Sequence, residues 1–380
     1  MEKSLYRRPL PPSLVAFASP EGRRLFDEAR AAGGMESFFP LIEQFHTQSE
    51  PAFCGLGSLV VALNALGVDP GRLWRGPWRW YSEELLDCCA PLERVRAQGI
   101  TLDELACLAR CNGAVVEVAR PEADDVDALR SAIAEASASS VDPALIVSYE
   151  RAALGQTGSG HFSPIGGYHR ASDRALILDV ARFKYPPHWV PVPLLHAATR
   201  AIDPSTGRPR GWVTLRRGER PSSLLFTARV RGERGAEGLS EALASICAAI
   251  EVAESEALEP LLRRVFAASA TLPLTIERRE LATEAHDAAA EALRAALHDA
   301  AIFRVIAAIA PEGHAEAATL LALALPPSIW AALPAPAQAR WRTLTDPAAL
   351  PEAVQVEAAH LREQLHGLCA LGLAGACRCA

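Results

Sequence analysis

Residues 54–66 (CGLGSLVVALNAL) form a nearly unbroken apolar run closed by Gly67. That pattern predicts a buried helix with Cys54 in its first turn and a glycine at its C-terminal cap. Upstream, residues 20–32 have helical spacing and stop at Gly33–Gly34. Thr101–Leu–Asp–Glu104 has the form of a capping box, so a helix opens there and ends near Gly113. β-rich runs follow at 114–118, 144–149, 161–169, 175–180 and 212–215, with 223–230 as a last strand. Past residue 236 the texture changes to Ala, Leu and Glu at helical spacing, predicting helices near 239–256, 258–270, 277–296, 298–310, 313–325 and 353–371. Between the two textures lies a charged, glycine-rich stretch, 229–238, which reads as a linker. Two domains are therefore expected: an α+β domain over 1–221, helices first and then mostly antiparallel strands, and a mainly α-helical domain over 222–380. No internal repeat is visible.

The 380 residues are 50% hydrophobic and 22% charged, with a formal net charge of −7. A slightly acidic globular chain lacks the basic footprint of a nucleic-acid binder, so any cationic site must be local. The start, Met1 to Arg8, has no apolar core behind it and is followed by Pro9, Pro11 and Pro12, unlike a secretory signal. The longest apolar stretch, 317–336, is broken by Pro326 and Pro327 and falls short of a membrane span. A cytoplasmic location with neither nucleic-acid nor membrane partner is the expectation. In that reducing setting the nine cysteines read as free thiols, and with no paired CxxC motifs a structural zinc site is not signalled.

Chemistry concentrates in the first domain. A thiol is a nucleophile only as thiolate, and a helix N-terminus beside an imidazolium favours that form. Cys54 has the helix position. Gln48, six residues upstream, offers a side-chain amide to a developing oxyanion. His161 follows a glycine-rich loop, 155–160, and opens a strand, while Asp179 lies 18 residues later, beyond a turn at 171–174. A hairpin of that length brings His161 and Asp179 near one end, with a bulge or side-chain reach closing a small register mismatch. Each piece has a plainer reading: a core cysteine, a satisfied strand-end histidine, a turn-capping aspartate. Spacing alone leaves both readings standing.

The strings Thr47–Gln–Ser–Glu–Pro–Ala–Phe–Cys–Gly–Leu56, Leu63–Asn–Ala–Leu66, Asp69–Pro–Gly–Arg72, Gly76–Pro–Trp–Arg–Trp80, Gly160–His–Phe–Ser–Pro–Ile–Gly–Gly–Tyr–His169 and Leu178–Asp–Val–Ala–Arg–Phe–Lys–Tyr–Pro–Pro–His–Trp189 closely resemble the phytochelatin synthase family, over roughly residues 5–220. The resemblance implies a papain-like catalytic domain with Cys54, His161 and Asp179 as triad and Gln48 as oxyanion donor. It implies a transpeptidase that forms a γ-Glu-Cys thioester from glutathione, releases glycine, and passes the acyl group to glutathione or a phytochelatin. By the same resemblance Asp203 and Arg210 hold the zwitterionic γ-glutamyl end, Arg151, Arg182 and Lys184 meet the acceptor's carboxylates, and Glu50 joins the substrate-binding set. No tightly bound cofactor is implied. Heavy-metal ions such as Cd²⁺, Zn²⁺ or Cu⁺ act as activators, entering as metal–glutathione thiolates because soft ions favour sulfur. A homodimer is compatible with the family.

A protein-borne metal site is a further expectation at Cys107 and Cys111, spaced i, i+4 on one helix, and at adjacent Cys88 and Cys89, against the plainer reading of small core residues. Cys377–Arg–Cys379 adds a sulfur pair near the end of the sequence. Many plant relatives have more paired cysteines in this region, so a helical buttress competes with metal sensing as the second domain's role. Two other functions compete with transfer: a hydrolase that lets water resolve the thioester, and a non-catalytic metal-binding protein.

Overall fold

The computed structural model describes residues 7–70, 73–121, 125–218, 225–230, 257–269, 274–278, 284–325, 327–331 and 333–372. The chain divides into two compact units: one of residues 1–69, 80–86 and 92–220, the other of 70–79, 87–91 and 221–380.

The first unit is built on a seven-stranded sheet. In chain order its elements are β1 (Val15–Ala16), α1 (Pro20–Ala31), α2 (Phe38–Glu43), α3 (Cys54–Ala65), α4 (Leu92–Gln98), α5 (Leu102–Cys111), β2 (Ala114–Ala119), α6 (Val126–Ser137), β3 (Ala144–Glu150), β4 (Gly160–His169), β5 (Arg174–Ile177), β6 (His188–Pro191), α7 (Val192–Arg200), β7 (Ile202–Asp203), β8 (Arg208–Pro209) and β9 (Gly211–Arg217). The sheet order is β1-β6-β5-β4-β3-β9-β2, every pairing antiparallel, and β7 and β8 form a separate short hairpin.

Both faces of the sheet are covered. Leu129 and Ile133 of α6 and Leu195 of α7 pack on Leu145, Val147, Ile165, Ala175 and Ile177. On the opposite side Leu25, Phe38, Leu41 and Val61 from α1–α3 pack on Leu176, Leu178, Val180 and Trp189. Alternate residues of β5 thus enter different cores, and residues 144–149 of β3 are buried without interruption. A strand buried on both faces reads as a continuous apolar run for that reason.

The expected local signals appear at α3 and α5. Gly67 takes φ 62° just past α3, and Thr101 and Glu104 form the reciprocal capping box that opens α5. Helices α6 and α7 and strand β6 are additions to the sequence reading, and they interleave with the strands instead of preceding them.

In the second unit, strand β10 (Phe226–Val230) pairs antiparallel with β11 (Leu274–Arg278). Helices follow: α8 (Leu258–Ser269), α9 (Glu284–Asp299), α10 (Ala301–Ala307), α11 (Ala315–Ala324), α12 (Pro327–Ala331), α13 (Ala335–Leu344) and α14 (Glu352–Gly372). Glu357 of α14, buried, accepts the backbone N–H groups of Leu225 and Phe226. Trp330 stacks on Trp341 with centroids 3.9 Å apart. The helix expected over 277–296 is corrected, since its first two residues belong to β11 and the helix begins at Glu284. The helix expected over 239–256, most of the 229–238 linker, Cys247, Cys377 and Cys379 lie outside the described residues. No helix among the described residues is long and apolar enough to cross a membrane.

Candidate active site

Cys54 is the first residue of α3, where unpaired backbone N–H groups and the helix dipole favour an anionic sulfur. Its approach is tight: a Cβ on Gly55 would come within 2.5 Å of the Ile100 side chain. Burial pushes the thiol's pKa up, but the charge of His161, a hydrogen bond with it, the backbone of Phe162 and Arg151 outweigh burial and bring the net value below the ordinary thiol range.

His161 enters from β4, opposite Tyr149 in register, with the two rings edge to face at 5.6 Å. Its Nε2–H donates to Asp179 Oδ1 at 2.8 Å, which leaves Nδ1 for the thiol. Burial works against imidazolium, yet Asp179 and Cys54 hold the pKa above the ordinary histidine value. The hairpin that joins the two residues contains an irregularity, one of the two ways expected to close the register mismatch: the β4–β5 register shifts between Ile165 and Gly167.

Asp179 is fully buried. Its Oδ1 also accepts from the Ala181 N–H at 2.9 Å, and Arg151 Nη2 lies 3.0 Å from Oδ1 and 2.9 Å from Oδ2. Against the burial penalty, His161 and Arg151 depress its pKa well below the carboxylate range, so it is ionised at neutral pH.

A cavity of about 520 Å³ opens over Cys54 and His161. Asp203, Ser205, Arg210, Glu150 and Lys184 are among the residues around it. Arg210, buried, pairs with Glu150 Oε2 at 3.0 Å and Asp203 Oδ2 at 3.5 Å. Asp203 Oδ1 is held by the Ser205 N–H at 3.0 Å. Gly160 admits Arg210 to this place, because a Cβ there would sit 2.1 Å from Arg210 Nη1. The cavity thus contains a guanidinium between two carboxylates, a set suited to an ammonium-and-carboxylate ligand.

The remaining expected residues fall differently. Arg151 borders the cavity, but its guanidinium is buried, bonded to Asp179, and flanked by Tyr149 and Tyr185 at 6.0 and 5.1 Å. Its place is behind the triad, where the sequence reading put it on an acceptor. Lys184 lines the cavity and donates to Thr157 O at 2.6 Å. Arg182 is exposed, lies over the Phe45 ring at 5.0 Å, and does not line the cavity. Glu50 pairs with Arg96 at 3.2 Å and also lies off the cavity lining. Gln48 is buried, and its Nε2 donates to Glu50 O and Pro51 O at 2.8 and 2.9 Å. Donation to an oxyanion at Cys54 requires release of one of those N–H groups.

Of the cysteines expected at a metal, Cys88 and Cys89 are buried with sulfurs 3.6 Å apart. Cys88 and Cys111 are not part of a disulfide. Cys89 and Cys107 are disulfide-bonded, which corrects the expectation that all nine are thiols. Sequence reasoning missed Glu150, Gln156 and Ser205. Glu150 was within reach, since it directly follows the 144–149 run read as a strand, and it pairs with Gly160 beside His161.

A thiol, an imidazole and a carboxylate linked in this order, with a charged cavity over the thiol, define a candidate acyl-transfer site with a cysteine nucleophile. Comparison with known proteins is more specific. A family model described as phytochelatin synthase matches residues 5–212. Glutathione gamma-glutamylcysteinyltransferase 3 of Lotus japonicus is 54% identical over 230 residues, covering 60% of this chain and 48% of the relative. Glutathione gamma-glutamylcysteinyltransferase 1 of Triticum aestivum is 57% identical over 225 residues, covering 59% and 45%. The glutathione gamma-glutamylcysteinyltransferase of Schizosaccharomyces pombe is 46% identical over 216 residues, covering 57% and 52%. The chain belongs to the phytochelatin synthase family. It spans about half the length of the curated relatives it matches.

Proposed function

We propose that this chain is a transpeptidase that transfers the γ-Glu-Cys unit of glutathione. The Cys54 thiolate attacks the carbonyl of the Cys–Gly amide, and the α3 N-terminus faces the oxygen that gains charge. Imidazolium His161 gives its proton to the departing glycine nitrogen, and the C–N bond breaks to leave a γ-Glu-Cys thioester on Cys54. The α-amine of a second glutathione, or of a phytochelatin, then attacks the thioester carbonyl. His161 takes the amine proton, the C–S bond breaks, and the thiolate–imidazolium pair is restored. Asp179 holds His161 in the tautomer that both steps use.

The observation that supports this reading most is the pairing of a nucleophile with a zwitterion-matched cavity: Arg210 for the glutamyl carboxylate, Asp203 and Glu150 for its ammonium. The domain is read as papain-like, with the thiol on a helix that packs against a sheet bearing histidine and aspartate. Metal enters as substrate, as a thiolate complex of the acceptor. Its ligand softness favours glutathione sulfur over the oxygen-rich cavity.

Mass spectrometry of products from glutathione, with and without Cd²⁺, tests the proposal. Oligomers of γ-Glu-Cys ending in glycine support transfer. Free γ-Glu-Cys as sole product means that water resolves the thioester and the enzyme is a hydrolase.

A further inference from the structure

Behind Arg151, away from the cavity, lie two buried polar side chains that the reaction scheme does not use. His188 begins β6, fully buried, and Gln156 follows the turn capped by Gly155, 4% exposed. Neither lines the cavity. His188 Nδ1 lies 2.9 Å from Pro186 O, a group that only accepts, so Nδ1 bears the proton and Nε2 a lone pair. Gln156 Nε2, 3.1 Å from that lone pair, must donate to it. The amide is thereby oriented with Oε1 toward Arg151, whose Nη1 donates to it at 2.6 Å. Arg151 Nη2 in turn meets Asp179, and Asp179 meets His161. The backbone closes the same loop, with Gln156 N donating to Arg151 O at 2.9 Å.

We propose that Gln156 and His188 are positioning residues for the catalytic triad, acting through Arg151. Every hydrogen in the chain from Pro186 to Asp179 has one assignment. A flipped Gln156 would set its NH₂ against the Arg151 N–H and its oxygen against the His188 lone pair. A neutral His188 thus selects the amide orientation that keeps Arg151 on Asp179. Burial keeps His188 neutral, lowering its pKa despite the attraction of Asp179. When this hold is lost the guanidinium turns from Asp179, and His161 loses its fixed direction toward Cys54. Arg151 also helps keep the Cys54 thiol acidic. Its departure therefore moves the thiolate titration to higher pH. The inference rests on Cys54 being the reactive thiol of the proposed function.

The test compares full-length wild type, Gln156→Leu, Gln156→Glu and His188→Leu. The readout is the rate of alkylation of Cys54 by iodoacetamide as a function of pH, with the modified peptide identified by mass spectrometry. This measurement needs no assumption about substrate, so it stays valid even if the wild type fails to make γ-Glu-Cys products. Gln156→Leu removes the acceptor for Arg151, whereas Gln156→Glu keeps an acceptor there and lets His188 take a proton. The expected result is a Cys54 titration moved to higher pH in Gln156→Leu and His188→Leu, and close to wild type in Gln156→Glu. Turnover of glutathione should fall roughly tenfold to a hundredfold in the two leucine variants, in kcat more than KM, as expected when a reacting group is misplaced. If Gln156→Leu is not recovered folded, His188→Leu against Gln156→Glu gives the same comparison. Leucine variants that lose melting temperature but keep the wild-type Cys54 titration and kcat would overturn the proposal.

Discussion

Arg151 Nη2 and Asp179 Oδ2 lie 2.9 Å apart in a place where both side chains are buried. A pair of this kind contributes modestly to net stability, because desolvation offsets attraction, but removing one member strands the other charge. Here the stranded charge would be the carboxylate that orients His161. The fold and the chemistry therefore share one contact.

Arg151→Met should lower the unfolding free energy by roughly 3–5 kcal/mol, the cost typical of breaking a buried pair from one side. Arg151→Met combined with Asp179→Asn should recover much of that loss in a denaturant titration while activity stays low. Equal stability of wild type and Arg151→Met would show that the guanidinium is not a partner of Asp179.

The pH dependence follows from two opposed shifts. The Cys54 pKa is below the ordinary thiol value and the His161 pKa is above the ordinary imidazole value. Protonating the thiolate ends activity on the acid side, and deprotonating the imidazolium ends it on the alkaline side. The two shifts together widen the pH range over which the thiolate–imidazolium pair exists, with limbs that belong to the pair and not to either residue alone. His161→Ala removes the neighbour that favours thiolate, so alkylation of Cys54 should then titrate toward about pH 8.5. An unchanged titration would separate Cys54 from His161.

Gly160 shows how a backbone position limits the cavity. In Gly160→Ala the added methyl occupies the space of the Arg210 guanidinium. The arginine must leave its two carboxylates. KM for glutathione should rise about tenfold to a hundredfold, the worth of a charged hydrogen bond, with a smaller change in kcat. Steady-state kinetics would decide; a KM equal to wild type would remove Arg210 from the donor site.

Asp203→Asn tests the other half of the zwitterion match. Asparagine keeps an oxygen for the Ser205 N–H, so the 203–207 turn persists, but the negative charge is gone. Glutathione affinity should fall while the melting temperature stays near wild type. A melting temperature that falls with no change in affinity would make Asp203 a structural residue only.

Local signals in the sequence were legible where neighbours along the chain set the structure. The apolar run from Cys54 with its closing Gly67 gave α3, and Thr101 with Glu104 gave the start of α5. The 18-residue separation of His161 and Asp179 left a small register mismatch for a bulge or side-chain reach to close, and β4–β5 has a register shift there. Structure set by distant partners was not legible. β11 is a strand because it pairs with β10, almost fifty residues earlier, and its first-turn neighbours in sequence read as helix. Arg151 looked like a free cation beside the triad because burial depends on Tyr149 and Tyr185 on either side of it. Gln156 and His188 gave no signal, since glutamine after a glycine turn and histidine before a tryptophan are ordinary surface and core residues until their partners are known.

The central claim is an acyl group on the Cys54 sulfur, and rapid quenching of enzyme mixed with glutathione tests it most directly. Peptide mass spectrometry should find the Cys54 peptide heavier by glutathione minus glycine, an adduct released by hydroxylamine and missing from Cys54→Ala. Full turnover by Cys54→Ala, or an adduct located on another residue, would contradict the account.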